Sequence, residues 1–114
     1  MVTLSALVPA VQGEFLVAQP DAGNLPVGSV IASDLMSDVL MNEGDNPLLL
    51  TSLSTVQALH TAEVIGARAI IIGNRKRIDA AMRETAHRLG LAIIGSPLPK
   101  YEACVAIGEV FRTA

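Results

Sequence analysis

Three short runs of apolar residues recur along the second half of the chain. They are Leu48–Leu50, Ala69–Ile72 and Ala92–Ile94, and none shows the alternation of a half-exposed strand. Such runs are typical of strands in a parallel sheet that helices cover on both faces. Helix-type periodicity follows each run, so residues 48–112 are predicted to form a β-α-β-α-β-α unit with right-handed crossovers.

The helices of this unit are predicted from caps and periodicity. They are Thr55–Ile65, Arg75–Leu89 and Lys100–Arg112. Ser54 and Asn74 are the predicted N-caps of the first two, and Gly90 follows the second where a left-handed residue is favoured. The predicted apolar face of the second helix comprises Ile78, Ala81, Met82, Thr85, Ala86 and Leu89. This spacing is that of an amphipathic helix lying on a sheet.

Before residue 48 the apolar positions are fewer and turn residues interrupt them. The predicted elements are a helix over Thr3–Val11, strands over Glu14–Ala18 and Val27–Ala32, and a helix over Asp34–Met41 capped by Ser33. Asp34 and Asp38 would lie one turn apart on that last helix. We interpret them as a cap and a surface charge, with a divalent-ion or acid–base pair as the alternative.

Composition sets the class of protein. The 114 residues fit one domain, and 51% of them are apolar. With only 3% aromatic residues and a net charge of −3, the chain lacks the features of a nucleic-acid binder. It carries no membrane-length apolar stretch and no basic leader, so a cytoplasmic protein without membrane contact is expected. A single cysteine, Cys104, excludes an internal disulfide and a cysteine-built zinc site.

Charge is divided unequally along the chain. Residues 1–67 carry seven acidic and no basic side chains, whereas residues 68–114 carry eight basic and four acidic ones. Two interpretations remain open. The charges lie on separate solvated faces, or they form complementary surfaces that meet across an oligomer interface.

Ligands of parallel sheets bind where the strands end, so the loops after the three apolar runs are the candidate site. The tentative ligand-binding residues are Thr51, Ser52, Ser54, Gly73, Asn74, Arg75 and Ser96. Arg75, Lys76 and Arg77 put three cations in one loop, which favours a phosphate-bearing or other anionic ligand. A solvated basic loop and a contact to an acidic protein surface are the alternatives. Neither a Walker pattern nor a G-x-G-x-x-G fingerprint is present.

The sequence offers no catalytic constellation. His60 and His87 lack partners at metal-ligand spacing, which predicts structural or surface roles and no metal site. Cys104 is predicted to be a core residue, on one helix face with Tyr101 and Val105. No residue is therefore assigned as catalytic, and no cofactor is expected.

Three segments together resemble the DRTGG domain. They are VGSVIASDLMSDVL, LLLTSLSTVQALHTAEVIGARAIIIG and ETAHRLGLAIIGSPLPKYEACVAIG, and the likeness extends over about residues 14–110. The chain departs from the family at Ser52–Thr55, which stands in place of Asp-Arg-Thr, and at Gly73-Asn74, which stands in place of Gly-Gly. The resemblance implies a layered α/β domain over 1–114, with a short, mainly parallel sheet flanked by helices, similar to the N-terminal domain of HPr kinase.

The resemblance also implies a regulatory or dimerising role, because DRTGG domains accompany catalytic domains without being catalytic. We therefore expect a non-catalytic regulatory or protein-interaction module, a homodimer or the partner of another protein. The alternative is a small-molecule sensor that binds a nucleotide or other anion at the strand-end loops. The chain has no P-loop, so kinase activity is not expected.

Overall fold

The computed structural model describes residues 1–114 and contains one five-stranded sheet. The strands are β1 (Glu14–Val17), β2 (Ser29–Ala32), β3 (Pro47–Thr51), β4 (Ala69–Ile72) and β5 (Ala92–Gly95). The α-helices are α1 (Leu4–Ala10), α2 (Met36–Val39), α3 (Val56–Val64), α4 (Ala80–Leu89) and α5 (Lys100–Thr113), and a 3-10 turn covers Ala22–Asn24. The predicted fold class, a layered α/β fold with a mainly parallel sheet, is confirmed.

The sheet has the strand order β1-β5-β4-β3-β2. Strands β2 to β5 are parallel, with Leu49 opposite Ile70 and Ile70 opposite Ile93. Strand β1 is antiparallel to β5 and pairs Glu14 with Gly95. The N-terminal end of β1 therefore lies at the same sheet edge as the carboxyl ends of the parallel strands.

Alternate residues of the central strands face two separate apolar layers. Leu48, Ile71 and Ile94 pack with α1 and α5, whereas Leu49, Ile70 and Ile93 pack with α2, α3 and α4. All of these side chains are fully buried. Burying both faces removes the need for polar alternation, which is why the strands read as continuous apolar runs.

Two predicted helices begin later than expected. The helix predicted from Asp34 starts only at Met36 and ends at Val39, so Asp34 is not helical and does not share a helix face with Asp38. The helix predicted from Arg75 starts at Ala80, because Asn74 and Arg75 have φ angles of 60° and 56°, which no right-handed helix accepts. Asp79 caps it instead, and its Oδ1 accepts from the Met82 N–H at 2.9 Å.

Two smaller predictions are also corrected. Thr55, not Ser54, caps α3 by accepting from the Ala58 N–H. On α5 the residues that face the sheet are Ala103 and Ile107, so Tyr101 and Val105 are exposed and Cys104 is half-buried at the margin of the core. His60 and His87 lie on exposed positions. No helix of the chain has the length and hydrophobicity needed to cross a membrane.

Candidate functional site

Two polar regions occupy the carboxyl edge of the sheet, one beyond β3 and one beyond β5. The first, the Asp34 cluster, comprises Asp34, Thr51, Ser52 and Lys100. The second, the basic cleft, lies between the start of β1, the end of β5 and the loop before α4. The two regions are built from similar residue types and differ in how their polar groups are satisfied.

In the Asp34 cluster one carboxylate holds three chain segments together. Asp34 Oδ1 accepts from the Thr51 hydroxyl and the Ser52 N–H, each at 2.8 Å. Its Oδ2 accepts from the Ser52 hydroxyl at 2.7 Å and from Lys100 Nζ at 2.6 Å. The loop after β2 is thereby joined to the end of β3 and to the first residue of α5.

These bonds determine the ionisation of Asp34. Burial raises its pKa, but the hydrogen bonds from Lys100, Ser52 and Thr51 outweigh that effect and hold the pKa well below its usual range. The side chains of Lys100 and Asp34 remain 34% and 38% exposed, so water screens part of the attraction. The carboxylate is charged at any physiological pH, and its lone pairs are already used inside the fold.

The basic cleft has a volume of about 640 Å³. Its lining comprises Gln12, Gly13, Glu14, Leu16, Arg75, Lys76, Arg77, Ile78, Arg83, Gly95, Ser96 and Pro97. Because β5 lies between β1 and β4, residues 95–97 lie between the start of β1 and residues 75–78, while Arg83 of α4 reaches across to β1. The volume falls within the usual range of small-molecule sites.

Positive charge dominates this cleft. Arg75, Lys76, Arg77 and Arg83 line it, against the single carboxylate of Glu14. None of the four cations forms an ion pair, since the ion pairs of the chain are Lys100–Asp34 and Arg112–Glu109. Arg83 is positioned by its Nη1, which donates to the Leu16 carbonyl at 2.6 Å. Unpaired cations around a concave surface favour the entry of an anion.

The basic loop, residues 73–79, is fixed by its backbone. The Asn74 N–H donates to the Leu98 carbonyl at 2.8 Å, and the Arg75 N–H donates to the Ser96 carbonyl at 2.9 Å. A Cβ at Gly73 would lie 2.9 Å from the Leu98 carbonyl oxygen, which no side chain tolerates at that point. The loop is thus held against the β5–α5 connection while its cationic side chains project outward.

The predicted site residues are divided between the two regions. Thr51 and Ser52 belong to the Asp34 cluster, and Ser54 donates its hydroxyl to the Arg77 carbonyl. Arg75 and Ser96 line the basic cleft. The Ser96 hydroxyl is already used, because it donates to the Val11 carbonyl at 2.7 Å and accepts from the Leu98 N–H at 3.1 Å. Gly73 and Asn74 contribute backbone geometry to the loop.

Three residues of the cleft had no signal in the sequence. Gln12, Glu14 and Arg83 come from segments without a recognisable ligand motif. Gln12 and Glu14 reach the cleft because β1 joins the sheet antiparallel to β5, a pairing that the apolar runs do not specify, whereas Arg83 reaches it from α4. Lys76 and Arg77 were visible as members of the basic loop.

The polar side chains of the cleft are four cations, one carboxylate, one amide and the Ser96 hydroxyl. No group of three or more His, Cys, Asp or Glu side chains that could hold a metal ion is present in the chain. The side chains suit an anion that is held by charge and by the fork geometry of arginine.

No protein-family model and no curated protein matches the chain. Its fold is similar to a crystal structure of the CBS and DRTGG domains of the regulatory region of Clostridium perfringens pyrophosphatase, complexed with the activator diadenosine tetraphosphate. The TM-score is 0.70 and the identity 15%, and the match covers 92% of this chain and 45% of that one. The likeness shows a related fold, and this chain corresponds to less than half the length of that structure.

Proposed function

We propose that this chain is a non-catalytic regulatory module that senses a phosphate-bearing ligand in the basic cleft. The observation that carries the proposal is the set of four cations around the cleft, none of which has an acidic partner in the fold. Cations clustered in this way repel one another, and an anion removes that cost. Three of them are consecutive, Arg75 to Arg77, and follow β4 at the sheet edge where parallel α/β folds bind ligands.

The comparison with known structures supports a regulatory role. The similar structure is a regulatory region, and its activator is a nucleotide with four phosphates.

Thermal unfolding with a ligand panel tests the proposal. The panel includes phosphate, pyrophosphate, nucleoside mono-, di- and triphosphates and diadenosine tetraphosphate. A ligand present at one hundred times its Kd adds about 2.7 kcal/mol of stability. The Arg75→Ala/Arg77→Ala variant should lose this stabilisation, while the matched Arg68→Ala/Arg88→Ala variant, with the same change in charge, should retain it. A panel without any response, or equal loss in both variants, refutes the proposed site.

Self-association is a second candidate property, and exposed apolar side chains favour it. On α5, Tyr101 and Val105 lie one turn apart and are 76% and 54% exposed. Light scattering at micromolar concentration and low salt should give twice the monomer mass of 11.9 kDa. Tyr101→Ser/Val105→Ser should shift the population toward monomer, whereas Ser5→Ala, at an exposed position of α1, should not. A monomeric wild-type protein under these conditions rejects the candidate.

A further inference from the structure

The two sides of the basic cleft differ in chemistry. Arg75, Lys76, Arg77 and Arg83 come from the basic loop and α4, whereas Gln12 lies in the turn before β1 and Glu14 is the first residue of β1. Glu14 is exposed and forms no ion pair with any of these cations. A cleft that held only an inorganic anion would gain nothing from this carboxylate, because like charges repel across it.

A carboxylate beside an anion site is useful when the ligand also carries hydrogen-bond donors. Ionised carboxylates accept hydrogen bonds only, so Glu14 suits hydroxyl or amino groups. The Gln12 amide can both donate and accept. Leu16 and Ile78, which are half-buried at the cleft, offer apolar surface to the non-phosphate part of such a ligand.

The backbone supplies an independent observation. Five residues other than glycine have positive φ angles in this chain, and three of them are Asn or Asp, which tolerate that conformation. The other two are Gln12, at 55°, and Arg75, at 56°, and both line the basic cleft. Such conformations persist only where the surrounding structure holds them, and they cluster at binding sites. One of the two lies on each side of the cleft.

We propose that the basic cleft binds a phosphate ester with a donor-bearing organic part, in the chemical class of nucleotides and sugar phosphates. Arg75, Lys76, Arg77 and Arg83 take the phosphates, and Glu14 and Gln12 take the hydroxyl or amino groups of the organic part. This rests on the proposed function, and it adds the prediction that free polyphosphate is a poor ligand.

Pyrophosphate and nucleoside diphosphates carry similar charge, but only the latter have an organic part. Their affinities, measured by calorimetry on the full chain, therefore show whether the cleft recognises charge alone or also the organic part. The nucleoside diphosphates are those of adenine, guanine, cytosine and uracil. At least one of them should bind ten or more times as tightly as pyrophosphate. In Glu14→Gln, pyrophosphate should bind about fivefold more tightly and that nucleoside diphosphate about fivefold more weakly. Glu84→Gln, on the exposed surface of α4 and outside the cleft, carries the same charge change and should leave both affinities unaltered.

The outcomes separate failure of the inference from failure of the function. If pyrophosphate binds as tightly as every nucleoside diphosphate, or if Glu14→Gln changes both affinities in the same direction, the cleft recognises charge alone and the inference is wrong while the proposed function stands. If neither probe binds, the inference is wrong, and if the whole panel of phosphates and nucleotides is silent as well, the proposed function is wrong with it.

Gln12 provides a second readout. Gln12→Gly relieves the positive φ angle, so its Tm should be equal to or above that of the wild type, while affinity for the nucleoside diphosphate falls severalfold and that for pyrophosphate does not. An unchanged nucleoside diphosphate affinity in this variant would contradict the assigned role of Gln12.

Discussion

The Asp34 cluster and the basic cleft lie on the same sheet edge and use charged side chains in opposite ways. In the cluster, a carboxylate accepts four hydrogen bonds and pairs with Lys100. In the cleft, four cations have no acidic partner, and two residues that line it have strained backbone angles. Charges satisfied inside the fold stabilise it, whereas charges left unpaired are available to a ligand. On this difference the Asp34 cluster is a structural polar site, and the basic cleft is the proposed binding site on the same edge.

The largest effect is expected when the Asp34 cluster is broken. Asp34→Ala removes the carboxylate that accepts from the buried Thr51 hydroxyl and from Lys100. Water can replace the bond to the partly exposed Lys100, but it cannot reach the Thr51 hydroxyl. We expect a loss of about 2–3 kcal/mol in the free energy of unfolding, measured in urea. Asp38→Ala, at an exposed position on α2, should change it by less than about 0.5 kcal/mol. Equal effects would show that the cluster is not structural.

Ser96 sharpens the comparison because it lines the cleft but is bonded like a member of the cluster. Ser96→Ala removes the buried donor to the Val11 carbonyl and should cost about 1–2 kcal/mol in urea unfolding. Affinity of the folded protein for an anionic ligand should not change, since the only hydrogen of the hydroxyl is already donated to the Val11 carbonyl. Ser37→Ala, exposed on α2, is the control for stability. A loss of ligand affinity in Ser96→Ala without a loss of stability would show that Ser96 has a binding role and not a structural one.

The sequence predicted the central part of the fold well. Apolar runs of the length of Ile70–Ile72 can be buried on both faces only in a covered parallel sheet, so β3, β4 and β5 followed directly from them. The helix starts were harder to predict, because they depend on competing caps. Asn74 and Asp79 are both good N-caps, and the choice between them was made by tertiary hydrogen bonds from the 74–75 backbone to the β5–α5 connection.

The candidate site was predicted only in part, for a related reason. Arg75 was identified because a run of cations directly after a predicted strand can be recognised from the sequence alone. Thr51 and Ser52 have the right position at the edge, but Asp34 consumes their donors, and no local pattern predicted that long-range contact. Gln12 and Glu14 were missed because an edge strand such as β1 has no run of apolar residues to fix its partner or direction.

Acid titration tests the contribution of the ionised Asp34 carboxylate to stability. The pKa of Asp34 in the folded protein lies below its unfolded value of about 3.9. Its contribution to stability is therefore complete above about pH 4, and it is lost as the pH falls through the folded pKa. Between about pH 4 and pH 2 the wild type should lose about 1 kcal/mol more than Asp34→Asn, after allowance for its partial exposure. Parallel curves for the wild type and Asp34→Asn would contradict this account.

The smallest effect is expected at Arg75, where the sign matters more than the size. A left-handed backbone costs a residue with a Cβ about 1–2 kcal/mol, and glycine avoids this cost while it loses about 0.5–1 kcal/mol of chain entropy. Arg75→Gly should therefore be more stable than Arg75→Ala by about 0.5 kcal/mol in urea unfolding, although both remove the cation that the ligand requires. At Arg68, which has no positive φ angle, the glycine variant should be the less stable of the pair. If Arg75→Gly were less stable than Arg75→Ala, as expected for the pair at Arg68, the backbone at the cleft would carry no strain. The contrast between the two regions would then rest on charge alone.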